Sequence, residues 1–425
     1  MLAGLAAFAV APVLGTAASA NPTALALQAR SGTVTLRPDP AVIPVWELLA
    51  ANQPDGIRLK RGEQVEMSIQ NGLPAPIAPV CYGLDGASGA LTARQPITAG
   101  GSERFAISMP SAGTLIMDIS LLGDGQALPA RPLPLIVLEN EHVAVDRDEV
   151  VLLEDWRLLP GGAASIPGSP TANTAPFYTV NGLIMPDITV LPNERLRLRF
   201  INGCQRVVVA LKIEGHDVTV MAIDSQPAEP FLARNGAVVL SPGSRCDAFI
   251  DATAQRGSTA PILLHDGIAA RPVGRLVTSD APPVRSARLP PAAPLPANDL
   301  PAQLDLRGAL RVDMTLGGGQ GNWGRPMDFS ASDVPAFRAK RGRTIVLALT
   351  NRAETATVFR LHGHHFRLLD RLDDGWKPYW LDTLAIQAGQ TERIGFKVSY
   401  PGRWLLESAG TDWASPRLVR WYAVE

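Results

Sequence analysis

Three stretches of this chain are variants of one another. Residues 61–71 read RGEQVEMSIQN, residues 192–202 read PNERLRLRFIN, and residues 341–351 read RGRTIVLALTN. Each is a turn followed by apolar residues at alternate positions: Val65, Met67 and Ile69; Leu196, Leu198 and Phe200; Ile345, Leu347 and Leu349. Each closes on Asn. Period-two alternation means one half-buried strand with its polar face toward solvent, here used three times. A second motif follows each copy: AGGSERFAI from Ala99, SPGSRCDAFI from Ser241 and AGQTERIGF from Ala388. Three copies of one sheet plan imply three domains. The copies are too long and too few for a solenoid, and antiparallel strands separated by turns favour Greek-key β-sandwiches, so the fold class is all-β. The 38 Gly and 37 Pro, spread along the chain, agree with many short strands joined by turns.

The repeats place domains at residues 24–140, 141–280 and 304–425. Between the last two, residues 281–303 read APPVRSARLPPAAPLPANDLPAQ, a Pro- and Ala-rich connector expected to be extended and on the surface. A formal net charge of -1 gives no electrostatic drive toward nucleic acid. Residues 1–20 form an uncharged apolar run closing on Ala18-Ser19-Ala20, the small-x-small pattern of a signal-peptidase site. Export follows, with Asn21 as the mature N-terminus and no stable membrane insertion after cleavage. The competing reading is a short membrane anchor or a buried strand, because Pro12 and Gly15 interrupt the run and no basic residue precedes it. Three cysteines, Cys81, Cys204 and Cys246, are an odd number for an oxidising compartment. If the strands bearing Cys204 and Cys246 start at the same end, the sulfurs are roughly 20 Å or more apart at about 3.3 Å per residue, and no disulfide joins them.

Two further stretches carry chemistry. Residues 357–365 read TVFRLHGHH and residues 402–418 read GRWLLESAGTDWASPRL. They resemble the multicopper oxidase family, in which the first reads HPxHLHGH and the second GxWxxHCHxxxHxxxxM. The sequence VNGLIMPDITVLPNERLRLRFING extends the resemblance into the middle domain. The resemblance implies three consecutive cupredoxin (plastocyanin-like) domains and copper as cofactor. It also implies that most ligand positions are substituted. The family's histidines in the first stretch fall on Thr357, Arg360 and His362, and only the last is kept. His-Cys-His becomes Glu407, Ser408 and Ala409, the next His becomes Trp413, and the axial Met becomes Leu418. In the first domain HWHG and HxH become Val80-Cys81-Tyr82-Gly83 and Asp118-Ile119-Ser120. The alignment also holds internally: nine residues on from the strand-ending Asn lie Val80 and Arg360, so Tyr82 matches His362 and Gly83 matches Gly363, while Asp118 and Glu407 each lie five residues past a Gly.

The expectation is therefore a degenerate copper site. The former trinuclear positions are Val80, Tyr82, Asp118, Ser120, Arg360, His362, Glu407 and Ala409, and the former blue-copper positions are Thr357, Ser408, Trp413 and Leu418. A family member's full ligand set needs more imidazoles than the six histidines present. Arg360 is expected in the cation's place, pairing with Asp118 from one domain and Glu407 from another. Trp413 either fills volume or lines a ligand pocket. His362 and His364 are weak metal candidates, since alternate residues share a strand face and His365 points away. His142, His216 and His265 are read as hydrogen-bonded structural residues, and Cys81 as a buried small apolar residue. No GxSxG or HExxH occurs, and Gly317-Gly318-Gly319-Gln320-Gly321 lacks a P-loop lysine and reads as a loop.

The reading these residues support is a periplasmic, non-catalytic binding or scaffold protein without cofactor, acting on a protein partner of the cell envelope or division. Its precedent within the family is the twin-arginine-exported cell-division protein that also lacks the ligand histidines and acts through protein contacts. The missing basic residues suggest a longer, twin-arginine signal. The alternatives are a copper-binding oxidoreductase with a remnant metal site, and an interdomain small-molecule pocket walled by Tyr82, Asp118 and Glu407.

Overall fold

A computed structural model describes residues 22–36, 42–50, 56–86, 90–124, 128–160, 162–169, 174–317, 323–330, 334–369 and 377–425. The segment expected to be a signal peptide, residues 1–20, and residues 318–322, which take in most of the glycine loop, lie outside the described residues. Among the described residues strands dominate, in six sheets that pair off along the chain. The first pair uses strands from Thr23–Thr35 to Leu133–Leu138, the second from Arg147–Trp156 to Ala270–Thr278, and the third from Leu310–Leu316 to Arg417–Val424. Each pair encloses its own apolar core, built around Val65, Met67 and Ile69, around Leu196, Leu198 and Phe200, and around Ile345, Leu347 and Leu349.

The repeated motifs occupy equivalent places. Gln64–Asn71, Arg195–Asn202 and Thr344–Asn351 each lie in the middle of a sheet, parallel to the first strand of their sandwich. Each pairs antiparallel with the strand of the second motif, Ser102–Ser108, Arg245–Asp251 or Thr391–Lys397. The closing Asn has a physical role that repeats as well. Asn71, Asn202 and Asn351 are fully buried, and each donates Nδ2–H to backbone carbonyls further along the chain: Ala75 and Ile97, Val207 and Leu240, Thr355 and Ile386. Each Oδ1 accepts the N–H two residues on, from Leu73, Cys204 or Ala353. One carboxamide thus satisfies backbone groups that the chain strands on leaving the sheet.

The middle copy departs from the half-buried pattern. Arg195–Asn202 is buried along both faces. Its polar face does not meet water because Arg197 pairs with Asp247 at 2.6 Å and Glu139 at 2.8 Å, and Arg199 pairs with Asp148 at 2.6 Å and Asp247 at 2.9 Å. Arg199 also donates to Thr114 Oγ1 of the first sandwich at 2.8 Å. Alternation marks which residues are polar, and here strands Arg147–Trp156 and Arg245–Asp251 of the same sandwich, together with Glu139 and Thr114, supply their partners.

The connector is mostly exposed or half-exposed, without helix or strand, and two residues anchor it. Leu295 and Asn298 are buried, and the Asn298 carboxamide exchanges hydrogen bonds with the Ala112 backbone and donates to Gln226 Oε1 at 3.0 Å. It straps the first sandwich to the second.

The three cysteines are free. The premise about strand ends fails, since Arg195–Asn202 and Arg245–Asp251 run antiparallel with Phe200 opposite Cys246. Both Cys204 and Cys246 pack into the middle core as small apolar groups. Among the described residues, no helix is long and apolar enough to cross a membrane.

Candidate functional site

Strand Thr357–Leu361 pairs antiparallel with Gly402–Gly410, which puts Arg360 directly opposite Glu407. Cross-strand neighbours of opposite charge interact favourably. The first sandwich repeats the arrangement, with Val80 opposite Asp118. Gly83 and Gly363, matched from sequence, both adopt positive φ, 89° and 77°. A Cβ at Gly83 would strike Ser225 Oγ and Arg245, and one at Gly363 would lie 2.1 Å from the Trp404 ring. Backbone pairing of Asp85 with Gly363 joins the first and third sandwiches there.

Glu407 is the hub. Arg360 Nη1 lies 3.3 Å from its Oε2, His362 Nε2 2.6 Å from its Oε1, and Tyr82 donates its hydroxyl at 3.1 Å. Burial alone would raise the Glu407 carboxyl; the bond to His362 and the charges of His362, Arg360 and Arg417 overcome it and hold the group well below the usual range. Arg360 also donates Nη2–H to the Pro242 carbonyl of the middle sandwich at 2.6 Å and lies 4.9 Å from the Tyr82 ring centroid. Burial, with Glu407 beside it, pushes the Tyr82 hydroxyl up.

The expected Arg360–Asp118 pair does not form. Asp118 accepts the Ser120 N–H at 2.5 Å and the Ser120 hydroxyl at 2.7 Å, a local turn that wins over the distant cation. Arg417 adds to the links between the first and third sandwiches: its Nη1 and Nη2 approach Ser120 Oγ at 3.3 Å and its backbone N–H reaches Asp124. Arg206 of the middle sandwich holds both oxygens of Asp124, at 2.8 and 2.7 Å. A neighbouring apolar cluster including Val80, Tyr82, Leu152, Ile201, Leu405 and Val419 draws on all three sandwiches.

The remaining sequence-marked positions disperse. Thr357 donates to Asn351 Oδ1 at 3.0 Å, and Ser408 is buried between Phe359 and Leu418 in register. Ala409 faces Val358 and Arg417 across the sheet. Trp413 turns to the middle sandwich, donating Nε1–H to Ser165 Oγ at 3.2 Å with the Arg157 guanidinium 4.6 Å from its ring. The pocket it lines measures about 10 Å³, room for about one water, so volume filling fits and a ligand pocket does not. His362 and His364 do not share a face: the strand ends at Leu361, Gly363 breaks the alternation, and His364 bonds Tyr422 Oη at 2.7 Å and accepts the Ser399 N–H at 3.1 Å. Burial lowers the His364 pKa to about 4. His216 and His265 make local backbone hydrogen bonds, His142 is exposed, and Cys81 is half-buried with burial pushing its thiol up to about 12.

A second buried cluster joins the sandwiches. Arg245 of the middle sandwich holds Asp382 of the third at 2.6 and 3.0 Å and donates Nε–H to the Thr114 carbonyl of the first at 3.1 Å. His365 of the third sandwich sits 2.8 Å from Asp85 of the first and 2.7 Å from the Asp224 carbonyl of the second. Sequence reasoning passed over Arg245, Asp382 and Arg417. Arg245 lay inside a recognised repeat, but its charge looked like any polar strand residue.

Three stacked β-sandwiches with a polar junction define a three-domain cupredoxin protein. Residues 144–259 and 303–425, together more than half of the chain, match family profiles described as Multicopper oxidase. The multicopper oxidase MmcO of Mycobacterium tuberculosis is 25% identical, the match covering 89% of this chain and 84% of that protein. A multicopper oxidase from Pseudomonas thermotolerans superposes with a TM-score of 0.81 at 23% identity, over 96% of this chain and 100% of that one. Lac15 from a marine microbial metagenome superposes at 0.77 with 24% identity, over 95% and 100%. The chain belongs to the multicopper oxidase family.

Proposed function

We propose that this chain is a copper-free member of its family, exported to the periplasm, where it binds a protein partner of the cell envelope or division machinery instead of oxidising a substrate. One observation carries the reading. Where the resemblance places ligand positions, Arg360, Glu407, His362 and Tyr82 bond to one another. A copper ion prefers converging imidazoles and, in a blue site, a thiolate. The donor set here is one imidazole committed to a carboxylate, with a guanidinium beside it, and Ser408 at the thiolate position. These residues do not fit copper.

The names of the relatives favour a second reading, a copper-binding oxidoreductase with a remnant site near His362. One experiment separates the two. The chain is expressed with a bacterial export signal in copper-supplied medium, and copper per chain, the blue absorbance band and phenol oxidation are measured. Copper far below stoichiometric, with no band and no turnover, is the expected result; near-stoichiometric copper with a blue band favours the oxidoreductase. A pull-down from periplasm then identifies the partner.

A further inference from the structure

A small cavity of about 20 Å³ lies where the three sandwiches meet, lined among others by Tyr82, Asp118, Gln205, Gly243, Arg360 and Arg417. Two of its walls are buried cations, Arg360 at 7% and Arg417 at 3% exposure, and the Nε–H of each finds no acceptor among the described residues. Buried N–H donors almost always have partners, so two of them bordering one cavity call for an acceptor that the described residues do not supply.

Nearby carboxylates do not fill that role. Asp118 is turned to Ser120, Glu407 to Arg360, His362 and Tyr82, and Asp124 to Arg206 and the Arg417 backbone. A third guanidinium stands close by: Arg206 is 1% exposed and its Nε–H also lacks an acceptor. Burial lowers the Arg206 pKa, and although Asp124 opposes this, the charges of Arg417 and Arg360 push it down further. Against burial, Tyr82, Glu407, Asp124 and Asp118 raise the Arg417 pKa, so what the cavity leaves unmet is the Nε–H donors rather than net charge.

We propose that this cavity is a halide site, with one chloride held between the Nε–H groups of Arg360 and Arg417. Size sets the ligand class: a space of this order admits about one water-sized body, so a monoatomic anion fits and a sulfate, phosphate or organic carboxylate does not. The ion would accept both Nε–H groups and bind strand Thr357–Leu361 to strand Arg417–Val424 at the junction with the middle sandwich. The inference goes beyond the copper-free reading and stands on the arginines alone, so copper analysis and halide analysis fail independently.

The test uses the mature chain. Crystals are soaked in sodium bromide for anomalous diffraction, and thermal unfolding is followed in sodium chloride against sodium gluconate at equal ionic strength. The expected result is an anomalous peak in the cavity within hydrogen-bonding reach of both Nε atoms, with a midpoint several degrees higher in chloride. Arg417→Lys keeps the charge but removes the Nε–H, and should lose the peak and the anion dependence; if that variant does not fold, the wild-type measurements still decide. A cavity peak without anion-dependent stability means an adventitious ion only and overturns the proposal. So does density in the cavity without anomalous signal, which means water.

Discussion

The two buried clusters use the same residue types, an arginine, a histidine and carboxylates, in different ways. The Glu407 cluster is built mainly within one sheet, since Arg360 and Glu407 are cross-strand neighbours and His362 follows the same strand. The Arg245 cluster is built between sandwiches, with Arg245 and Asp224 from the second, Asp382 and His365 from the third and Asp85 from the first. Local strand register brings the first together; the second exists only once the sandwiches dock. Under the proposed copper-free function the Glu407 cluster is the replacement of a site within a preserved frame; the Arg245 cluster is the lock that keeps the frame assembled.

The largest effect belongs to the lock. Arg245→Met leaves Asp382 and Asp224 buried without their cation, and should cost about 3–5 kcal/mol in denaturant unfolding. A loss under about 1 kcal/mol would show that the carboxylates re-pair or hydrate and that the lock is not built on this residue.

Next is the pH response of His365. Burial alone would lower its pKa, but Asp85 and Asp382 raise it from 6.5 to about 9 against the opposing charge of Arg245. Asp85, Asp224, Asp382, Arg245 and Gln226 are the polar groups that face it. A raised folded pKa contributes stability that is fully present below 6.5 and is lost as pH rises through about 9. The loss should be about 3 kcal/mol across that window, seen as a falling unfolding midpoint, and His365→Gln should flatten the curve. An unchanged slope in the variant assigns the pH dependence to other groups.

Smaller effects separate the two clusters further. Arg360→Met should cost about 2 kcal/mol, because Glu407 keeps His362 and Tyr82 as partners. A double-mutant cycle with Glu407→Gln should show coupling of about 0.5–3 kcal/mol; additivity would mean the ion pair carries no net interaction. Asp118→Asn should cost under about 1 kcal/mol and show no coupling to Arg360, since the carboxylate serves its own turn. Measurable coupling would restore the pair expected from sequence.

Much of the fold was legible because repetition supplies its own control. The three Asn-ended strands and their antiparallel partners can be aligned without any relative, and the same counting matched Arg360 to Val80 and Glu407 to Asp118, which lie in equivalent cross-strand pairs. What failed depended on contacts that no single strand encodes. Asp118 has a hydroxyl two residues away, so its local bond beat a long-range pairing. The His362–His364 pairing assumed that alternation continues past Leu361, whereas Gly363 at positive φ ends it. Arg195, Arg197 and Arg199 looked solvent-facing because their acidic partners, including Glu139, Asp148, Asp247 and Asp251, lie on other strands or loops. Arg417 belongs to the quoted C-terminal stretch, yet nothing in the copper pattern singles it out.

The most direct measurement is a crystal structure of protein produced with copper supplied, with diffraction recorded at the copper absorption edge. An ion-paired junction predicts no anomalous peak beside Glu407 and an Arg360 guanidinium within 4 Å of its carboxylate. A copper peak between His362 and Glu407, with Arg360 swung away, would contradict it.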